Sequence, residues 1–149
     1  MTQTPFPPMA PIRVDRDGLW AWDGRPMVHD GILRYLKQHL ELDSDGNYWV
    51  AVGPSRVPVL VADAPLSVEA LLDGPPRLRL DDDSEEPLSG ALVLEMSADH
   101  RLFAPVKAGR YRALLSRAAH HQVWEGLEED GDGHVLTLGA SRVPVLLRS

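Results

Sequence analysis

A chain of 149 residues with 15 Lys and Arg against 22 Asp and Glu, a formal charge of −7 at pH 7, can form one ordinary domain or two small ones packed together, and is too short for three. At 44% hydrophobic and 25% charged it has a folded, globular composition, and its apolar runs fall well short of the roughly 20 residues a membrane helix needs, so no membrane partner is expected. Cysteine is absent, which removes disulfides, thiolate nucleophiles and cysteine metal sites, and the acidic balance with scattered arginines lacks the basic stripe of a nucleic-acid binder.

Residues 1–11 hold Pro5, Pro7, Pro8 and Pro11 and read as a disordered or polyproline leader. They carry neither a basic start nor an apolar core of signal-peptide length, which makes the cytoplasm the expected location. Strands are predicted at 12–14 and 19–22, flanking a turn at Asp15-Arg16-Asp17-Gly18. Ile32, Leu33, Leu36 and Leu40 recur at three- and four-residue spacing behind Asp30 as N-cap, predicting a helix near 30–42. An Asp45-Gly46 turn and a strand at 48–52 follow.

Residues 52–61 then return as 138–147, offset by 86, with seven of ten positions identical. Gly53-Pro54-Ser55-Arg56 and Gly139-Ala140-Ser141-Arg142 read as matching hairpin turns. Pro58 and Pro144 fall in the strands that follow, which should be sheet edges, or place the proline facing away from a neighbour. Between the copies, 66–72 reads as a bridging strand, and 78–80 and 91–96 as strands around the acidic run Asp81-Asp82-Asp83-Ser84-Glu85-Glu86. The acids of that run are consecutive and followed by Pro87, unlike the alternating ligands of a calcium loop, so it reads as a solvated loop. A second helix is predicted near 107–128 from Tyr111, Leu114, Leu115, Ala118, Val123 and Leu127, followed by a turn at Asp132-Gly133 and strands to the end.

The expected fold is therefore α+β, with tandem duplicated strand-strand-helix-strand-strand units, 12–72 and 73–149, packed into one compact body with a shared core. Ser55 and Ser141 lack the second glycine of a nucleophile elbow and read as turn residues. Arg56 and Arg142, at the same place in each copy, read either as exposed turn arginines or as a symmetric pair of guanidinium forks for a small anionic ligand, carboxylate or phosphate, and Arg110 and Arg117, seven apart on one helical face, either extend such a site or form the solvated face of that helix. Trp20 and Trp22, two apart on a strand, share a side and either floor a ligand pocket or cover the core. His121 and Glu125 share a helical face, but His120 points about 100° away from His121 and a third ligand would have to be Asp99 or His100. No metal site and no cofactor is expected. His100 could titrate near neutrality, yet no nucleophile or paired carboxylates accompany it, so no catalytic residue is assigned.

Asp17-Gly18-Leu19-Trp20, Gly24-Arg25-Pro26-Met27, Asp45-Gly46-Asn47-Tyr48-Trp49, Val61-Ala62-Asp63-Ala64-Pro65, Asp99-His100-Arg101-Leu102 and Ala113-Leu114-Leu115-Ser116-Arg117 together resemble the bacterial family grouped as domain of unknown function 1285, in the family's order. The family favours an acid where Ala62 stands, and it closes with a glycine-rich aromatic segment where this chain has its second Ser-Arg-Val-Pro-Val-Leu run. The resemblance implies a two-part α+β body of repeated motifs and a signalling or ligand-sensing role, and supplies no activity or catalytic residues.

The expected function is thus a non-enzymatic binding or regulatory module, its ligand held in a groove between the units lined by Trp20, Trp22, Arg56 and Arg142. The alternative is a protein-interaction or assembly component that docks a protein partner through the leader or a sheet edge. A hydrolase built around His100, His120 and His121 ranks third.

Overall fold

The computed structural model describes residues 10–149. The leader expected at 1–11 lies outside them except for Ala10 and Pro11. The chain forms two compact units, one running to Asp63 and the other Ala64–Ser149. Among the described residues, strands dominate, in two sheets with two helices.

The first unit holds β1 (Ile12–Val14), β2 (Trp20–Trp22), β3 (Arg25–Pro26), α1 (Asp30–Gln38), β4 (Leu40–Leu42), β5 (Tyr48–Val52) and β6 (Ser55–Val61), in the sheet order β3-β2-β1-β6-β5-β4. β1 runs parallel to β6, and the other neighbours are antiparallel. Alternate residues of the strands, Ile12, Val14, Val50, Val57 and Val59, form a core with Trp20 and with Leu36 of α1. The N-cap of α1 is His29, whose ring accepts the Ile32 N–H, rather than Asp30, which occupies the first turn where its charge suits the helix dipole. The helix also ends sooner than the apolar spacing suggests, because Leu40 belongs to β4 and pairs with Val50.

The second unit holds β7 (Leu66–Leu72), β8 (Arg77–Leu80), β9 (Glu85–Pro87), β10 (Leu92–Met96), β11 (Leu102–Val106), β12 (Tyr111–Leu115), α2 (Arg117–Gly126), β13 (Leu127–Asp130), β14 (Gly133–Leu138) and β15 (Ser141–Arg148). Its sheet order is β13-β14-β15-β10-β11-β12-β7-β8-β9. β10 is parallel to β15, and β7 to β12. Each unit thus contains three strands, a helix and three strands in chain order, with the first strand parallel to the last. In the second, β7, β8 and β9 add onto β12. The expected strand-strand-helix-strand-strand unit is therefore not what the chain forms: one strand was missed on each side of the helix, and the hairpin around the acidic run lies outside the pattern.

The long second helix is the largest correction. Residues 111–115 are a strand, with Tyr111, Ala113 and Leu115 buried and Arg112 and Leu114 half-exposed, a period of two that the helical spacing of Leu114 and Leu115 obscures. Ser116 ends it and caps α2, accepting the Ala119 N–H while its hydroxyl donates to the Glu69 carbonyl. Arg110 and Arg117 consequently share no helical face. Arg110 lies in the turn before β12, and Arg117 is the exposed first residue of α2.

Pro58 and Pro144 sit on central strands, β6 between β5 and β1 and β15 between β14 and β10, so the edge expectation fails. Two-residue turns close both hairpins, at Val52↔Ser55 and Leu138↔Ser141, and counting from there the pairs Trp49↔Pro58 and Val135↔Pro144 are non-hydrogen-bonded, with each proline nitrogen turned away from its hairpin partner. On the parallel side, Ala62 donates to the Val14 carbonyl. The two-residue repeat of these bonds would aim the Pro58 nitrogen at the Ala10 carbonyl, ahead of Ile12 where the β1 ladder begins. The β10 ladder likewise begins at Leu92↔Val145, just past Pro144. No ladder bond is lost at either proline, and the Ala10 carbonyl accepts the Trp22 indole N–H at 2.9 Å instead.

Four hairpin turns share one geometry, in which the first residue donates to the fifth and the fourth donates back to the first: Asp15 to Leu19, Asp43 to Asn47, Leu80 to Ser84 and Ser97 to Arg101. The fourth residue has positive φ each time, and is Gly18, Gly46, Asp83 or His100.

Candidate functional site

Trp20 and Trp22 lie on one strand as expected, but Trp20 is 3% exposed within the first core and Trp22 is 43% exposed beyond its end. Arg56 is on the other side of β1, its guanidinium 4.6 Å from the Trp49 ring centre and 3.9 Å from the Glu41 carboxylate. Trp49 in turn donates from its indole to Asp43, which with the Asn47 and Asp45 N–H groups and the Arg56 charge holds the Asp43 carboxyl below its ordinary value. Arg142 occupies the matching second position of β15 and is exposed, as is Arg117. Both belong to the second unit, whereas Trp20, Trp22 and Arg56 belong to the first.

The histidines form no common site. His121 pairs with Glu125 at 2.9 Å on the open face of α2, and His120 accepts the Trp124 indole N–H. His100 is the exposed fourth residue of the β10–β11 turn, beside an Asp99–Arg101 ion pair at 3.3 Å. Among the described residues, no three or more His, Asp or Glu side chains are arranged to hold a metal ion.

The polar cluster that the fold does assemble lies in the second unit, between the β8–β9 turn and the β11–β12 turn. Asp82 is the one buried charged side chain among the described residues, 6% exposed. Its carboxylate receives the Lys107 ammonium at 2.9 Å and the Ser84 hydroxyl and N–H. Lys107 also donates to the Ser84 hydroxyl oxygen at 2.8 Å, and its backbone N–H donates to Glu86 at 2.8 Å. Burial pushes the Asp82 carboxyl up, but the hydrogen bonds from Ser84 and Lys107 and the lysine's charge outweigh it and leave the group below its ordinary value. The acidic run is therefore wired into the fold rather than solvated: Asp81 accepts the Ser67 N–H, and Glu85 pairs with Arg77 at 2.8 Å.

These contacts hold a strained turn. Lys107, Ala108 and Gly109 have φ of 54°, 59° and 80°, and the left-handed region costs a non-glycine residue about 1–2 kcal/mol. The side chain of Lys107, tied at Asp82 and Ser84, and its amide, tied at Glu86, fix that conformation. A serine hydroxyl beside a lysine amine resembles a nucleophile and its base. Here the Ser84 hydroxyl donates to Asp82 and its oxygen accepts from Lys107, so the lysine stands as a donor to the serine rather than as its base.

Beside the cluster opens a cleft of about 350 Å³, walled by residues 86–93 with Leu78 and Pro105. Leu78 on β8 and Pro105 on β11 stand three strands apart in the sheet order, so the sheet curls to bring them onto one cavity. Glu86 joins the two features, with its carboxylate on the cleft wall and one oxygen fixed by the Lys107 amide. Sequence reasoning assigned none of Asp82, Ser84, Glu86 and Lys107 to a site. The signal that could have found them is the alternation of Leu102, Ala104 and Val106 with Tyr111, Ala113 and Leu115 around Lys107-Ala108-Gly109-Arg110, which marks a hairpin whose lysine is carried back toward the acidic run.

No family model matches the sequence, and no curated protein does. Among solved structures, the chain is similar to a DUF1285 family protein from Silicibacter pomeroyi DSS-3, with a TM-score of 0.69 and 17% identity over 97% of this chain and 84% of that one. It is also similar to a DUF1285 family protein from Shewanella baltica OS155, with a TM-score of 0.55 and 17% identity over 71% of this chain and 84% of that one. The resemblance carried by the sequence fragments thus extends to tertiary structure, and the chain shares its fold with solved proteins of the DUF1285 family.

Proposed function

We propose that this chain is a non-enzymatic binding or regulatory module, of a cytoplasmic signalling or ligand-sensing kind, whose second unit takes a small ligand in the cleft beside Glu86. The observation that carries the reading is the cleft itself: Glu86 on its wall is fixed by the amide of Lys107, which belongs to a strained turn and pairs through its ammonium with the buried Asp82, more construction than a hairpin needs for its own sake. The Lys107–Ser84 pair offers no free base, which argues for binding over catalysis. The common strand order of the two units, with the ten-residue repeat at matching places, supports duplication of an ancestral half. The anion site at Arg56 and Arg142 has weaker support, since Trp49 and Glu41 already engage Arg56. A thermal-shift screen of metabolites, repeated on a Val93→Trp variant that fills the cleft, tests the reading. It expects stabilisation by at least one compound that the variant loses, and stabilisation equal in both proteins rejects the cleft.

A protein-interaction role is the second reading, favoured by an apolar stripe on the first unit. Ile32 and Tyr35, three apart on α1, are 50% and 47% exposed, and Val28, just ahead of the N-cap, is 83% exposed. An Ile32→Glu, Tyr35→Glu variant that folds normally but loses co-purifying proteins from the native cell would favour it. Unchanged co-purification would count against it.

A further inference from the structure

Among the described residues, Glu86 is the only ionisable side chain on the wall of the second-unit cleft; Leu88, Val93 and Pro105 bring partly exposed aliphatic surface to it, while Leu78 and Leu92 are buried. The Lys107 N–H orients the Glu86 carboxylate at 2.8 Å without carrying a net charge. The ammonium that could have neutralised it is committed to Asp82 and Ser84. The second carboxylate oxygen accepts no hydrogen bond from any described residue. A carboxylate that is held in place beside aliphatic side chains offers a charge-assisted hydrogen bond to a cation with an apolar body. The chain's net charge of −7 adds a long-range field of the same preference.

We propose that the cleft binds a primary aliphatic ammonium compound, its –NH₃⁺ group on Glu86 and its chain over the partly exposed Leu88, Val93 and Pro105. The inference rests on the cleft being the ligand site. A primary ammonium is favoured over a quaternary one because no aromatic ring lines the wall to face a methylated cation, whereas a carboxylate oxygen rewards an N–H donor. The volume, near the lower end of the about 300–1,000 Å³ common for ligand pockets, limits the body to a small molecule. The Ser89 hydroxyl stands on the same wall and suits a second polar group on the ligand.

The test is an amide-resolved NMR titration of the full chain with n-hexylammonium, with hexanoate and 1-hexanol as arms matched in length. The expected result is saturable shifts at Ser89, Gly90 and Ala91 with n-hexylammonium, and none with hexanoate. Glu86→Gln, whose amide oxygen can still accept the Lys107 N–H, should weaken the binding about tenfold or more. In the unmodified protein, added NaCl should weaken it as well, a readout independent of how the variant folds. Hexanoate or hexanol binding at these amides as tightly as the cation would overturn the charge preference and leave the cleft reading standing. Unchanged cation binding in a folded Glu86→Gln protein would overturn it too. If no arm moves these amides, both the inference and the cleft reading fail.

Discussion

Asp73 reaches Ser141 across the second unit, its carboxylate accepting the serine hydroxyl at 2.7 Å on one oxygen and the Ala140 N–H at 2.9 Å on the other. The second copy of the repeated hairpin turn is thereby anchored by a loop 68 residues earlier in the chain. Gly139 completes the fit, since a Cβ there would lie 2.7 Å from an Asp73 oxygen. The serine that recurs in the sequence is thus a turn residue with a structural partner.

The same contact predicts a pH dependence. The Ser141 hydroxyl and the Gly74 and Ala140 N–H groups hold the Asp73 carboxyl below its ordinary value, so its contribution to stability is complete above the unfolded carboxylate pKa of about 4 and fades as pH falls through the lower folded one. Asp73→Ala should lower Tm at pH 7, and the gap to the unmodified protein should narrow by pH 2–3. A gap that is constant with pH would remove the ionised carboxylate from the explanation.

Replacing Lys107 with methionine leaves Asp82 buried without its counter-ion. A loss of about 2–3 kcal/mol in urea unfolding is expected, less than for a wholly buried pair because Lys107 is partly exposed. Adding Asp82→Asn to Lys107→Met should recover part of that loss. Strict additivity of the two changes would mean that the residues do not act on each other.

His100 occupies, at φ 65°, the position that glycine fills in the β1–β2 and β4–β5 turns. His100→Gly should therefore stabilise the protein by about 0.5–1 kcal/mol, against the usual penalty of introducing glycine. Thermal unfolding reads the sign directly, and a fall in Tm would mean that the imidazole makes a contact outweighing the strain.

Gly126 closes α2, where alanine ordinarily gains up to about 1 kcal/mol over glycine. Its Cβ would stand 2.5 Å from the Thr137 carbonyl oxygen and 2.9 Å from Leu136. Gly126→Ala should instead destabilise by about 1–3 kcal/mol, as overpacking does. A stabilised variant would show that the helix end can move off β14.

Much of the local structure is legible from residues near one another in the chain. The Asp15–Gly18 turn, the short strands on either side of it, the two repeated hairpins and the amphipathic stretch of α1 each announce themselves through turn residues and periodicity. Residues 111–115 misled because Leu114 and Leu115 fit a helical stripe as well as a strand. What separates the two readings is the pairing of this segment with β11 and β7, which no local window contains. Pro58 and Pro144 misled for a related reason, since whether a proline costs a ladder bond depends on where the neighbouring strand begins.

The sequence by itself determined the folded composition, the repeat, the hairpins and the resemblance to a family, because these depend on short-range chemistry: turn propensity, alternation and identity at a fixed offset. Only the tertiary structure decided which strands pair in parallel, that an acidic run holds a buried ion pair, and that Glu86 faces a cleft. Asp82 and Lys107 are separated by three strands, β9, β10 and β11, and a carboxylate becomes a buried partner rather than a solvated one only when the sheet's curl brings the lysine to it and takes the water away.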